Sequence, residues 1–104
     1  VTVEADKSVN DGFLTWTFEL DATVDNSEGG KVTLVATNKG SDGNQNTTFS
    51  KTRTVTLKVN GEEQTGTITA ADITEDGNWT LDIDINALQT GDVTIEIVSV
   101  TYPN

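Results

Sequence analysis

Phe13-Leu14-Thr15-Trp16-Thr17-Phe18-Glu19-Leu20 is the stretch that decides the fold. Its even positions, Leu14, Trp16, Phe18 and Leu20, are all apolar, while its odd positions are mostly Thr and Glu. Successive side chains of a strand point to opposite faces, so this period of two marks a β-strand with one buried face. The pattern repeats down the chain. Lys31 to Asn38 turns Val32, Leu34 and Ala36 inward, and Thr52 to Val59 turns Val55, Leu57 and Val59 inward. Asn60-Gly61 directly follows, the strongest short signal for a tight hairpin turn. Gln64 to Ala70 reads as a Thr-rich strand anchored by Ile68. Trp79 to Ile85 presents Trp79, Leu81, Ile83 and Ile85 inward and Thr80, Asp82 and Asp84 outward. Asp92 to Tyr102 contributes Val93, Ile95 and Ile97, and Val1 to Val3 opens the chain.

No stretch sustains a 3.6-residue apolar period. Ala71 to Asp76 and Asn86 to Thr90 allow one helical turn each at most. About seven short antiparallel strands with turn signals between them predict an all-β, immunoglobulin-like sandwich. At 104 residues the chain forms a single domain, 1–104, with one core. Both tryptophans lie in phase with aliphatic neighbours, so they are expected to pack the core, one from each sheet.

Seventeen acidic side chains oppose six basic ones, and there is no His or Cys, for a net charge of −11. Nucleic acid is excluded as a partner because phosphate contacts need a Lys/Arg patch, and an anionic membrane surface fits equally badly. No apolar run approaches the roughly 18 residues of a membrane span. No signal-peptide pattern opens the chain, as expected of a mature segment or fragment. Disulfides and thiolate zinc sites are impossible without Cys. No nucleophile elbow or phosphate loop is present, and the outward pair Asp82 and Asp84 sits on a strand face without a cleft, so no enzymatic activity is expected.

The placement of the acids carries more information than their number. If consecutive strands run antiparallel, the connections alternate between the two ends of the sandwich. Asp6, Asp11, Asp42, Asp72, Glu75 and Asp76 then share the end where the chain exits. Asp21, Asp25, Glu28, Glu62, Glu63 and Asp92 share the end where it enters. Only Glu4, Glu19, Asp82, Asp84 and Glu96 fall within strands. Like charges that converge repel unless a cation lies among them, and Ca²⁺ takes six to eight oxygen ligands from carboxylates, amides and carbonyls. Asp11-Gly12, Asp42-Gly43-Asn44 and Asp76-Gly77-Asn78 supply such oxygens beside glycines. Asp42, Asn44 and Asn46 match the first ligand spacings of an EF-hand, but Thr47 replaces its turn glycine and Arg53 its bidentate Glu, which leaves an irregular loop site. Ca²⁺ is therefore the expected ion, with Asp11, Asp21, Asp25, Glu28, Asp42 and Asn44 among its candidate ligands. Mg²⁺ fits less well, because it keeps its waters.

The run Thr74-Glu75-Asp76-Gly77-Asn78-Trp79-Thr80-Leu81-Asp82-Ile83-Asp84-Ile85-Asn86-Ala87-Leu88, followed by Gly91-Asp92-Val93-Thr94-Ile95, resembles the ending of tandem bacterial immunoglobulin-like repeats in giant RTX-type adhesins. Length, acidity and the absence of Cys and Met are most similar to the extender repeats of an ice-binding adhesin. The resemblance implies a non-catalytic extender module on the bacterial cell surface. Its partners would be neighbouring copies in the same chain, joined through Ca²⁺ held within and between repeats. It adds Asp72, Glu75, Asp76 and Asp92 as candidate ligands. Pro103 would stiffen the exit towards a following repeat.

Two other activities are weighed. The Thr-x-Thr runs at Thr15/Thr17, Thr52/Thr54/Thr56 and Thr65/Thr67/Thr69 are what exposed strand faces favour, so ice binding by this domain is not expected. A calcium-containing carbohydrate-binding module is the alternative reading. It needs aromatic rings on an exposed face, for which Tyr102 and Phe49 are the only spares, so direct sugar binding is not expected either.

Overall fold

A computed structural model describes residues 2–4, 8–21, 23, 31–84 and 93–102. Among the described residues there are eight strand segments: β1 (Thr2–Glu4), β2 (Ser8–Asn10), β3 (Thr15–Leu20), β4 (Lys31–Lys39), β5 (Arg53–Val59), β6 (Glu62–Ile68), β7 (Trp79–Asp84) and β8 (Thr94–Thr101). They form two four-stranded sheets ordered β1-β8-β5-β6 and β2-β3-β4-β7, the all-β sandwich that the alternation predicts. The opening strand is the difference. It becomes β1, which joins one sheet parallel to β8, and a further short strand, β2, joins the other sheet antiparallel to β3. Each is a three-residue edge strand, which leaves only a short run of unpaired backbone for another chain to join.

Most of the expected core positions are buried, and Leu20 is partly so. Trp16 and Phe18 on β3, Val32, Leu34 and Ala36 on β4, and Val55, Leu57 and Val59 on β5 meet Trp79, Leu81 and Ile83 on β7 and Val93, Ile95 and Ile97 at β8. Ile85, expected to continue that row, lies outside the described residues. Leu14 is buried although β3 begins one residue later, so its inward phase survives outside the ladder. Asn60 and Gly61 both take positive φ, 49° and 88°, as a tight turn between β5 and β6 demands. The helical content near Ala71 is one 3₁₀ turn, Ala70–Asp72.

Trp16 and Trp79 do not come from opposite sheets. β7 pairs with β4 instead of with β8, so both rings sit on one sheet, flanking β4. Ala36 pairs with Phe18 on one side and Trp79 on the other, and its small side chain leaves room for large neighbours. The indoles meet edge to face at 5.4 Å, and Phe49 from the β4–β5 connection completes the trio at 5.4 and 5.2 Å. Aromatic pairs favour such tilted and edge-on packing because the ring edge is positive and its face negative.

The alternation on β8 also breaks. A register shift falls between Thr56 and Leu57, which pair with Ser99 and Ile97, leaving Val98 as an extra residue. That bulge turns Val98 outward, 43 % exposed, and returns Val100 to the core. The Thr runs at Thr54/Thr56 and Thr65/Thr67 lie on the outer face of adjacent β5 and β6, with Thr54 opposite Thr67 and Thr56 opposite Thr65.

Gly66 faces inward on β6, where an added Cβ would stand 2.7 Å from Leu81 Cδ1 of the opposite sheet. Only a bare backbone lets the sheets approach this closely. Gly66→Val is expected to cost about 1–3 kcal/mol through overpacking. An unchanged urea midpoint in this variant would contradict that packing.

Candidate functional site

The two poles of the sandwich hold the candidate residues. The exit pole collects the connections β2–β3, β4–β5 and β6–β7 together with Tyr102. Its centre is a buried ion pair. Arg53 is in phase with Val55, Leu57 and Val59, so β5 carries its guanidinium towards the core, where its side chain is 3 % exposed. Arg53 Nε donates to Asp11 Oδ2 at 2.6 Å, and Nη1 donates to the Lys51 carbonyl at 2.7 Å. The guanidinium also lies over the rings of Phe49, 5.1 Å away, and Tyr102, 4.7 Å away.

Asp11 completes its shell with the Phe13 and Leu14 amides, which donate to Oδ1, and the Trp16 indole, which donates to Oδ2. Burial opposes the charged form, but Arg53, both amides and the indole outweigh it and hold this carboxyl below its ordinary 3.8. Asp11 was expected among the metal ligands. Its side chain is fully enclosed instead, with both oxygens engaged by protein donors, so the protein's own guanidinium stands where a cation was expected.

Other expected ligands also shape their own loops. Asp42 Oδ1 accepts from the Asn44 amide at 2.9 Å, fixing a turn closed by Gly43 N to Gly40 O and Gly40 N to Asn44 O. Buried Asn38 anchors the same connection: Nδ2 donates to the Asn46 carbonyl and Oδ1 accepts from the Asn46 amide. Asp72 Oδ2 accepts from Thr69 N and Oγ1, capping the 3₁₀ turn. Glu75 and Asp76 are exposed in the turn before β7, closed by Gly77 N to Thr74 O. Gln45 Nε2 donates to the Gly77 carbonyl and joins the two loops.

At the entry pole, Asp21 Oδ1 accepts from Thr23 Oγ1 and N at 2.6 and 2.9 Å, and these bonds lower its pKa. Thr94 N donates to Asn60 Oδ1 and Asn60 N to Thr94 O, tying the β5–β6 turn to the start of β8. Glu62 and Glu63, expected in that turn, already belong to β6. Asp25, Glu28 and Asp92, and also Asp6, lie outside the described residues.

Asp11, Asp42, Asp72, Glu75 and Asp76 lie in the connections expected from strand parity, but among the described residues no three acidic side chains gather closely enough to hold one metal ion. One pairing crosses the scheme. Asp21 and Asp76, assigned to opposite ends, line a single depression of about 240 Å³ with Thr23, Thr74, Asn78 and Thr80 around Val35. β3 continues past Leu20 through the Asp21 N to Thr33 O bond, which turns Asp21 to the outer face of this sheet, level with Thr33 and Asp82.

No protein-family model, curated protein or solved structure matches the chain. Its own geometry is therefore what a functional reading has to stand on. Two carboxylates, an amide and three hydroxyls around one depression have the oxygen chemistry a hard cation uses. The described part of that wall supplies two acidic ligands, fewer than a closed cage.

Proposed function

We propose that the chain is a non-catalytic structural spacer of an extracellular bacterial adhesin, one repeat of a tandem array, whose acidic connections bind Ca²⁺. The observation that carries this reading is the path of the backbone. Thr2 lies beside Thr94 at one pole, and β8 runs to Thr101, beside Thr54, at the other. The module measures 42 × 27 × 20 Å, and the chain traverses it from pole to pole. Copies linked in series would add their lengths instead of folding back.

The oxygen donors around the Asp21–Asp76 depression support the calcium half of the proposal. Asp21, Asp76 and Asn78 would hold the ion, with Asp42, Asn44 and Glu75 at the exit tip and Asp25, Glu28, Asp72 and Asp92 as further candidates. The ion would supply charge neutralisation and a bridge between segments remote in sequence. An acidity of −11 destabilises a compact state through self-repulsion, which bound divalent cations relieve.

A protein of two repeats in series tests the spacer reading by small-angle X-ray scattering. In millimolar Ca²⁺ its largest dimension should approach twice the 42 Å of one module. In chelator the distribution should broaden towards a flexible string. Side-by-side compaction in Ca²⁺, or the same profile in both buffers, would contradict it.

A further inference from the structure

The exit pole carries an open groove of about 470 Å³, between Phe13 and the β4–β5 connection, which shares only Asp42 and Asn44 with the calcium candidates. We propose that this groove binds a neutral oligosaccharide, a proposal that does not rest on the calcium-dependent spacer reading.

Three observations support it. The first is Phe13, which is 63 % exposed, whereas Trp16, Trp79 and Phe49 are buried. Its ring leans on Tyr102, with centroids 4.4 Å apart, and Tyr102 in turn covers the Arg53 guanidinium. The Phe13 amide is tied to Asp11 Oδ1. An apolar ring fixed in this way offers a flat surface on which the C–H face of a pyranose can stack.

The second is the chemistry of the opposite wall. Asn44, Gln45 and Thr47 line it, Leu14 is the other apolar contact, and Asp42 is the one charged side chain in the lining. Amides and hydroxyls both donate and accept, as sugar hydroxyls require. With no Lys or Arg in the lining and a net charge of −11, phosphates, sialosides and uronates are disfavoured. The wall is too polar for a purely apolar ligand.

The third is preorganisation. The Asn38–Asn46 pair of bonds, the Asp42–Asn44 turn and the Gly40–Asn44 closure set the loop before any ligand arrives. Less conformational freedom is then lost on binding.

A microarray of neutral and sialylated glycans, probed with the whole protein in calcium buffer, tests the proposal, and calorimetry with a retained glycan gives the affinity. Neutral glycans should be retained. Phe13→Ala should weaken binding about ten-fold, equivalent to about 1.4 kcal/mol, through loss of the stacking platform. Asn44→Ala should weaken it several-fold. Both variants should melt within a few degrees of the parent, because neither side chain is in the core. No retained glycan, preference for sialylated over neutral glycans, or parental affinity in both variants would overturn the proposal.

Discussion

Arg53→Ala is expected to cost about 3–5 kcal/mol of folding free energy, because it strands the Asp11 carboxylate without its cation in a place closed to water. Asp11→Ala should cost a similar amount. It leaves the guanidinium unpaired and removes the acceptor for Trp16 Nε1 and for the Phe13 and Leu14 amides. Against a typical total of about 5–15 kcal/mol for a domain, either change brings the protein close to unfolding. The pair itself contributes less than these losses suggest, since burying two ions carries its own desolvation cost. The double variant Asp11→Ala with Arg53→Ala should therefore lose much less than the sum of the single changes. Urea unfolding of all four proteins measures the coupling, and strict additivity would show that the two side chains do not act as a unit.

The same pair predicts an acid response. The folded-state pKa of Asp11 is depressed, so its contribution is complete above the unfolded-state value of about 3.9 and disappears as pH falls through the lower folded value. Protonating the other carboxylates also relieves self-repulsion, which works in the opposite direction. The difference between parent and Asp11→Asn separates the two effects: it should be large at neutral pH and shrink steadily below about pH 4.

Much of this was legible in the alternation. A period of two fixes which face of each strand is buried, and Trp16, Phe18, Leu34, Leu57, Trp79, Leu81 and Ile95 follow it. The Asn60-Gly61 turn was equally readable, since few residue pairs tolerate two successive positive φ values. Which strand pairs with which is a tertiary matter, and alternation is silent on it. Hence both tryptophans fall on one sheet, a further short strand, β2, joins that sheet, and the bulge at Val98 appears only in the ladder.

The site was less legible for a related reason. Arg53 keeps the phase of Val55, Leu57 and Val59, and that phase was the available sign that its charge is buried. Its charge argued instead for a surface position. A buried guanidinium in turn requires a carboxylate, which is why Asp11 serves the core and not a metal. Phe13 was passed over because the apolar face of its strand runs through the even positions, which is the reason it faces outward. Asp21 and Asp76 line one depression although parity sends them to opposite ends, a tertiary arrangement that composition does not encode.

The second large effect expected is a rise in thermal stability with Ca²⁺. Ligand at one hundred times its dissociation constant stabilises the folded state by about 2.7 kcal/mol per ion. A domain of this size gains roughly 4–8 °C per kcal/mol, so each bound ion should raise the midpoint by about 10–20 °C. Asp21→Asn with Asp76→Asn should reduce that increment while changing the calcium-free midpoint little, because Asp76 is exposed and an amide at position 21 keeps an oxygen for the Thr23 donors. Asp11→Asn should lower the midpoint with and without calcium and leave the increment intact. That contrast separates a carboxylate that serves the core from those that would serve an ion.

Calorimetric titration of Ca²⁺ into chelator-stripped protein tests most directly whether the acidic connections bind metal. Saturable binding of at least one ion per chain, weakened in the Asp21→Asn/Asp76→Asn variant, is the predicted result. A flat titration at millimolar Ca²⁺, with no heat beyond dilution and the same melting midpoint in calcium and chelator, would contradict it.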